Sequence, residues 1–255
     1  MSTSNRQSIN ATLLFLVTVS AFGLVMVISL TVSPLISQGD LVWRKPVIGA
    51  VFASICVLGS LAALFPNECS TGFNFGPRRR GAKFFLGFKT GSKALKSDSI
   101  VLRGHHPLCV PFSSHVFKLN GRVFCATCSG LFLGALVALI GVAGYFFGNW
   151  QIGQGAFWLA WVGVLGVTIG LLQSILPGVQ RSFVRVFSGA FLAVGSLLIL
   201  AVVDEMAHNL LLDVFLIFLT LVWLVTRISL SQREHEKICY ECGSASCEFA
   251  ESMKK

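Results

Sequence analysis

Six long apolar runs, separated by short polar breaks and one long polar insertion, organise this chain. Residues 9–32, 46–65, 125–147, 156–176, 184–203 and 210–230 are each between 20 and 24 residues long and nearly free of charge. A helix rising ~1.5 Å per residue needs ~20 residues to cross a hydrocarbon core ~30 Å thick, so each run predicts a transmembrane helix. The first run can also be read as a cleaved signal peptide. Only Arg6 precedes it, however, and the run exceeds the ~7–15 apolar residues of such a leader, which favours a retained span. Pro46 stands at the tolerated first position of the second helix.

The breaks differ in character. Residues 33–45 contain Pro34, Gly39 and Asp40 and read as a turn-rich connection. Residues 149–155 form an uncharged turn, Pro177-Gly178 ends the fourth run, and Asp204, Glu205, His208 and Asn209 read as a tight acidic turn. Residues 66–124 leave the membrane. Their first half mixes glycine, basic residues and phenylalanine with no helical or strand period, which predicts irregular chain. No repeat and no low-complexity tract is visible.

The predicted fold class is therefore all-α: a polytopic membrane protein with about six transmembrane helices and a long irregular cytoplasmic loop. It divides into two helices in 1–65, a basic Cys/His loop in 66–124, four helices in 125–230 and a Cys-rich tail in 231–255. Composition agrees: 54% hydrophobic, 12% charged and a mean hydropathy of +0.76 are too apolar for an ordinary soluble domain.

Charge supplies the orientation. Ten of the twenty Lys and Arg residues lie between Phe65 and Cys125: Arg78, Arg79, Arg80, Lys83, Lys89, Lys93, Lys96, Arg103, Lys118 and Arg122. Arg181 and Arg185 follow the fourth run, and Arg227, Arg233, Lys237, Lys254 and Lys255 follow or close the sixth. The positive-inside rule then puts both termini in the cytoplasm of a multi-pass protein of the cell membrane. Only Arg44 and Lys45 fall on the wrong side. The basic loop, with Phe73, Phe75, Phe84, Phe85 and Phe88 as interfacial anchors, fits the lipid bilayer and its anionic headgroups as partners. Single-stranded nucleic acid can use the same cations and rings, but a loop tethered between two spans meets lipid first, so no nucleic-acid partner is expected.

Eight cysteines turn attention to chemistry. His106-x2-Cys109 and Cys125-x2-Cys128, fifteen residues apart, have the spacing of two chelating pairs in a zinc ribbon. Thiols facing the cytosol stay reduced, which raises metal over disulfide. The expected ligands are His106, Cys109, Cys125 and Cys128, with His105 and His115 as substitutes or outer donors. The tail carries a second four-ligand set, His235, Cys239, Cys242 and Cys247, whose plainer reading is an unstructured tail with exposed thiols. Zinc is the cofactor this implies, in a structural or regulatory role.

Other readings stay open. Cys125 and Cys128 can be small residues at a helix contact next to Gly130-x3-Gly134, or the reactive pair of a membrane thiol-disulfide oxidoreductase, the first thiol ionised by the helix dipole. Asp213, about a turn into the sixth run, is the carboxylate on which a small-solute transporter would depend, although solvation or pairing with His208 also accounts for it. Gln173 reads as an interhelical hydrogen bonder, Cys56 as core, and Gly166, Gly170 and Gly189 as close helix crossings.

The segment H-P-L-C-V-P-F-S-S-H-V-F, followed by G-R-V-F-C-A-T-C-S-G-L-F-L-G, resembles the signature of an uncharacterised prokaryotic family of predicted membrane proteins, a domain of unknown function. That family has a C-A-R-C-T-G-like box opening a span. Here the box is Cys125-Ala-Thr-Cys128-Ser-Gly130, with Thr127 in the place of Arg and Ser129 in the place of Thr. Arg185-Val-Phe-Ser-Gly189 resembles a second element. The likeness covers about residues 104–195 and implies no activity.

Overall fold

The structure, a computed structural model, describes residues 3–32, 42–64, 115–119, 122–173 and 181–242. Six helices run through it: α1 Thr3–Val32, α2 Arg44–Leu64, α3 Ala126–Val142, α4 Ala156–Leu172, α5 Ser182–Ala207 and α6 Leu210–Cys242. All six are long and apolar enough to cross a membrane when α3 is taken with the π turn Ala143–Phe147 that continues it, and α4 with the 3-10 turn Gly153–Gly155 that precedes it. One two-stranded antiparallel hairpin, β1 Val116–Leu119 and β2 Arg122–Cys125, leads straight into α3.

The apolar runs mark the helices well, but two boundaries move for a physical reason. Helix α5 continues past residue 203 and takes in Asp204 and Glu205, so only His208 and Asn209 separate it from α6. The expected acidic turn is thus mostly helix. The helix stops because His208 adopts a left-handed conformation (φ 46°), its N–H closing on the Asp204 carbonyl at 3.1 Å. Helix α6 continues past residue 230 as far as Cys242, so the first part of the tail is helical.

The hairpin is the second difference. The expected long irregular loop has strand in its last part, where 116–119 and 122–125 pair in register from Val116 with Cys125 to Leu119 with Arg122. The sequence held the signal: Val-Phe-Lys-Leu and Arg-Val-Phe-Cys flank Asn120-Gly121, the dipeptide favoured in two-residue hairpins. Phe117 and Phe124 stack across the pair with ring centroids 5.5 Å apart.

Helix α5 is the centre of the bundle, packed chiefly against α3 and α4, while α2 lies on α3 and α1 on α6. Small residues allow this. A Cβ on Gly134 would stand 2.6 Å from the Ala190 Cα, and one on Gly130 would overlap the Val186 carbonyl. On the other side of α5, a Cβ on Gly163 or Gly166 would lie 2.9 Å from the carbonyl of Gly195 or Phe191. The close crossings expected of Gly130, Gly134, Gly166, Gly170 and Gly189 are therefore present, with backbones in contact as in membrane helix pairs. Cys56 is buried core, as expected. Large apolar side chains face outward all round: Leu14, Phe22, Leu58, Ile140, Trp158 and Phe218 are each more than 60% exposed. That surface suits a hydrocarbon solvent and not water.

The hairpin, the starts of α3 and α5 and the last turns of α6 gather at one end, called here the hairpin end. The α5–α6 turn, the start of α2 and the π turn gather at the other, the turn end.

Candidate functional site

At the hairpin end, Cys125 closes β2 in an extended conformation (φ −75°, ψ 122°) and caps α3. Its thiol is buried and Cys128, one helical turn on, is half-buried. Neither forms a disulfide among the described residues. Hydrogen bonding with Cys128 is the main influence on Cys125. Together with the amide N–H groups of Cys128 and Thr127 and the Arg185 guanidinium, it brings the thiol down to about 7 against the upward push of burial. A thiol at a helix start beside a cation is the arrangement that favours thiolate.

The cation is held in place from α6. Arg185, in the first turn of α5, is buried and donates twice to Glu234, at 2.8 and 2.6 Å. This is a bidentate, charge-assisted pair. The His115 Nε2 stands 3.8 Å from the same carboxylate. Burial first, then Arg185, lowers the His115 pKa to about 4, with Glu234 opposing, so the imidazole is neutral. Arg227, also fully buried, donates to Gln173 Oε1 at 2.5 Å, and Ser188 donates to the same oxygen. Gln173 therefore bonds between helices, as expected. Ser182 ties the start of α5 to β1 through the Val116 carbonyl at 2.8 Å. Among the described residues, two buried guanidinia, Arg185 and Arg227, stand here with the half-buried carboxylate of Glu234. A thiolate is both the ligand and the nucleophile form of cysteine.

Of the expected zinc ligands, the structure places Cys125 and Cys128 together. His106, Cys109 and Cys247, with His105, lie outside the described residues. His235, Cys239 and Cys242 fall at i, i+4 and i+7 along α6, a spacing that puts their positions on one helical face. Among the described residues no three His, Cys, Asp or Glu side chains gather as a metal group. The thiol pair fits a zinc site as half of a tetrahedral set, adjacent and partly ionised.

The turn end holds a cluster that sequence reasoning missed. Arg44 opens α2 and is 1% exposed, and Asp204 and Asp213 are 0% exposed. One nitrogen of the guanidinium, Nη1, donates to Asp204 Oδ1 at 2.5 Å and also to Asp213 Oδ2. Its Nη2 lies 3.2 Å from the His208 Nδ1. The Tyr145 hydroxyl donates to the other Asp204 oxygen at 2.8 Å. Asp213 is thus neither solvated nor paired with His208; it is a buried partner of Arg44. The Lys45 Nζ sits at the rim, 3.8 Å from Asp204 Oδ2 and 4.7 Å from the centre of the Tyr145 ring. Glu205 accepts from the amides of Ile152 and Gly153. The signal in the sequence was the pair of cations out of place by the charge rule, on the same side as two aspartates. Compared with known proteins, the chain matches no family model, no curated protein and no solved structure.

Proposed function

We propose that this chain is a multi-pass membrane protein whose hairpin end carries a zinc-type Cys/His site of structural or regulatory use, outside any enzymatic reaction. The carrying observation is the hydrogen-bonded pair Cys125 and Cys128 at the start of α3, with the Cys125 thiol brought down to about 7 beside Arg185. His106 and Cys109 complete the tetrahedron in this reading, and His235, Cys239, Cys242 and Cys247 form a second set. The resemblance of residues 104–195 to a membrane family of unknown function agrees with such a site and adds no activity.

The hairpin end is cytoplasmic in this reading, with both termini on that side. Support comes from the two exceptions to the charge rule. Arg44 is consumed by Asp204 and Asp213, and Lys45 stands by Asp204, so neither acts as a free topogenic cation. Exposed Trp43, Trp150 and Trp158 cluster near the turn end, as in an interfacial aromatic belt.

Metal analysis of the purified protein is the test. Stoichiometric zinc that is lost in Cys125→Ser supports the site. A second reading rests on the same hydrogen bond between the thiols: a dithiol whose first member ionises near neutrality also suits thiol–disulfide exchange. Metal-free protein with a titratable Cys125–Cys128 disulfide selects that reading. Impermeant thiol labelling of Cys128 from outside intact cells overturns the orientation.

A further inference from the structure

In the cluster at the turn end, two buried carboxylates share one buried guanidinium. In the interior, Arg44 faces both Asp204 and Asp213. At the rim, the Lys45 Nζ lies 3.8 Å from Asp204 Oδ2, and Glu205 accepts from the amides of Ile152 and Gly153. The His208 Nδ1 faces the guanidinium at 3.2 Å. Tyr145 contributes a hydroxyl and nothing ionic. Among the described residues, these are the charged and titratable groups that α2, the π turn, α5 and α6 present to the cluster. Asp213 Oδ1 is buried and finds no partner among the described residues. A buried carboxylate oxygen without a hydrogen-bond partner is costly and calls for a ligand.

A metal cation answers that need poorly. It takes about six oxygens in a cage, and the guanidinium already occupies the space between the two carboxylates. A proton requires neither room nor a cage. We propose that Asp213 carries an exchangeable proton at Oδ1, making the Arg44–Asp204–Asp213 cluster a proton-binding site inside the helix bundle.

Two backbone features concentrate at the same place. Tyr145 reaches Asp204 from a π turn, Ala143–Phe147, a rare wide turn often found at functional sites. His208 meets Arg44 from a left-handed conformation that non-glycine residues seldom adopt. Both place a side chain on the cluster that regular helix would direct elsewhere.

Infrared spectroscopy of the full chain in nanodiscs reads the proton directly, because a carboxylic acid has a carbonyl stretch that carboxylate lacks. The sequence contains four aspartates, Asp40, Asp98, Asp204 and Asp213, so isotope-labelled aspartate assigns the band without mutation. The expected result is an aspartic acid band that shifts with the label and in heavy water. It is retained when Asp40 and Asp98 are both changed to Asn and lost in Asp213→Asn. Absence of any aspartic acid band, across the pH range in which the chain stays folded, overturns the proposal. So does a band that survives Asp213→Asn. Where Asp213→Asn does not fold, Asp213→Glu decides: the label-sensitive band must vanish, and its persistence refutes the assignment.

Discussion

Replacing Arg44 with methionine tests whether charge compensation holds the turn end together. The change keeps most of the side-chain volume and removes the cation that bridges two carboxylates that are 0% exposed. Two magnitudes compete. If the contacts to Asp204, Asp213 and His208 were ordinary interhelical hydrogen bonds, at about 0.6 kcal/mol each in membrane bundles, their loss would total about 2 kcal/mol. If the cluster is a buried ion set, leaving a carboxylate unpaired costs about 3–5 kcal/mol. The lower end applies if Asp213 is protonated, since then only Asp204 is abandoned. The triple variant Arg44→Met, Asp204→Asn, Asp213→Asn removes both signs together and should recover most of the loss, because Tyr145 can still donate to an amide oxygen at 204. Reversible unfolding in mixed micelles, followed by the fluorescence of the five tryptophans, gives each value. A loss of about 2 kcal/mol or less, the sum for ordinary interhelical hydrogen bonds, refutes the reasoning. So does a triple variant no more stable than the single.

Three other outcomes follow from the geometry. Gly130→Val pushes a side chain into the Val186 carbonyl and should cost at least the ~1–3 kcal/mol typical of overpacking; unfolding no easier than wild type would contradict the close α3–α5 crossing. His115 has a folded pKa of about 4 against an ordinary 6.5, so the unfolded chain binds the proton first. Stability should fall as pH drops from about 6.5 towards 4, and a His115→Gln variant should lose that part of the slope in acid unfolding. In metal-stripped protein the Cys125 thiolate should appear with a midpoint near pH 7 instead of 9. Its lowered pKa contributes stability that is fully present above about 9 and lost as pH falls through 7. Thiolate ultraviolet absorbance in wild type and Cys125→Ser checks the midpoint, and titration only near 9 disproves it.

The helices were legible because a bilayer imposes length and apolarity locally, residue by residue. What the sequence hid was pairing across distance. Arg44 and Asp204 are 160 positions apart, and a local reading assigns every charge near a span end to solvent. Arg185 was counted as a topogenic charge for the same reason, though it is buried against Glu234. Cys125 and Cys128 were found because their chelate spacing is local. Their surroundings, Arg185 from α5 and Glu234 from α6, arrive only with the tertiary fold. The hairpin's signal is a single Asn-Gly pair between two four-residue strands, too short to stand out from a loop whose first half has no period.

Helix α6 bonds Arg44 through Asp213 and Arg185 through Glu234. Those two positions are 21 residues apart in the sequence, about 30 Å along a straight helix, which is the thickness of a hydrocarbon slab. Helix α5 carries the matching groups, Arg185 and Asp204, at nearly the same separation. The pair therefore works as a ruler with a stop at each end. Neither rod can slide past the other to suit a thinner or thicker bilayer without breaking an ion pair, so mismatch must be absorbed by both tilting as one body.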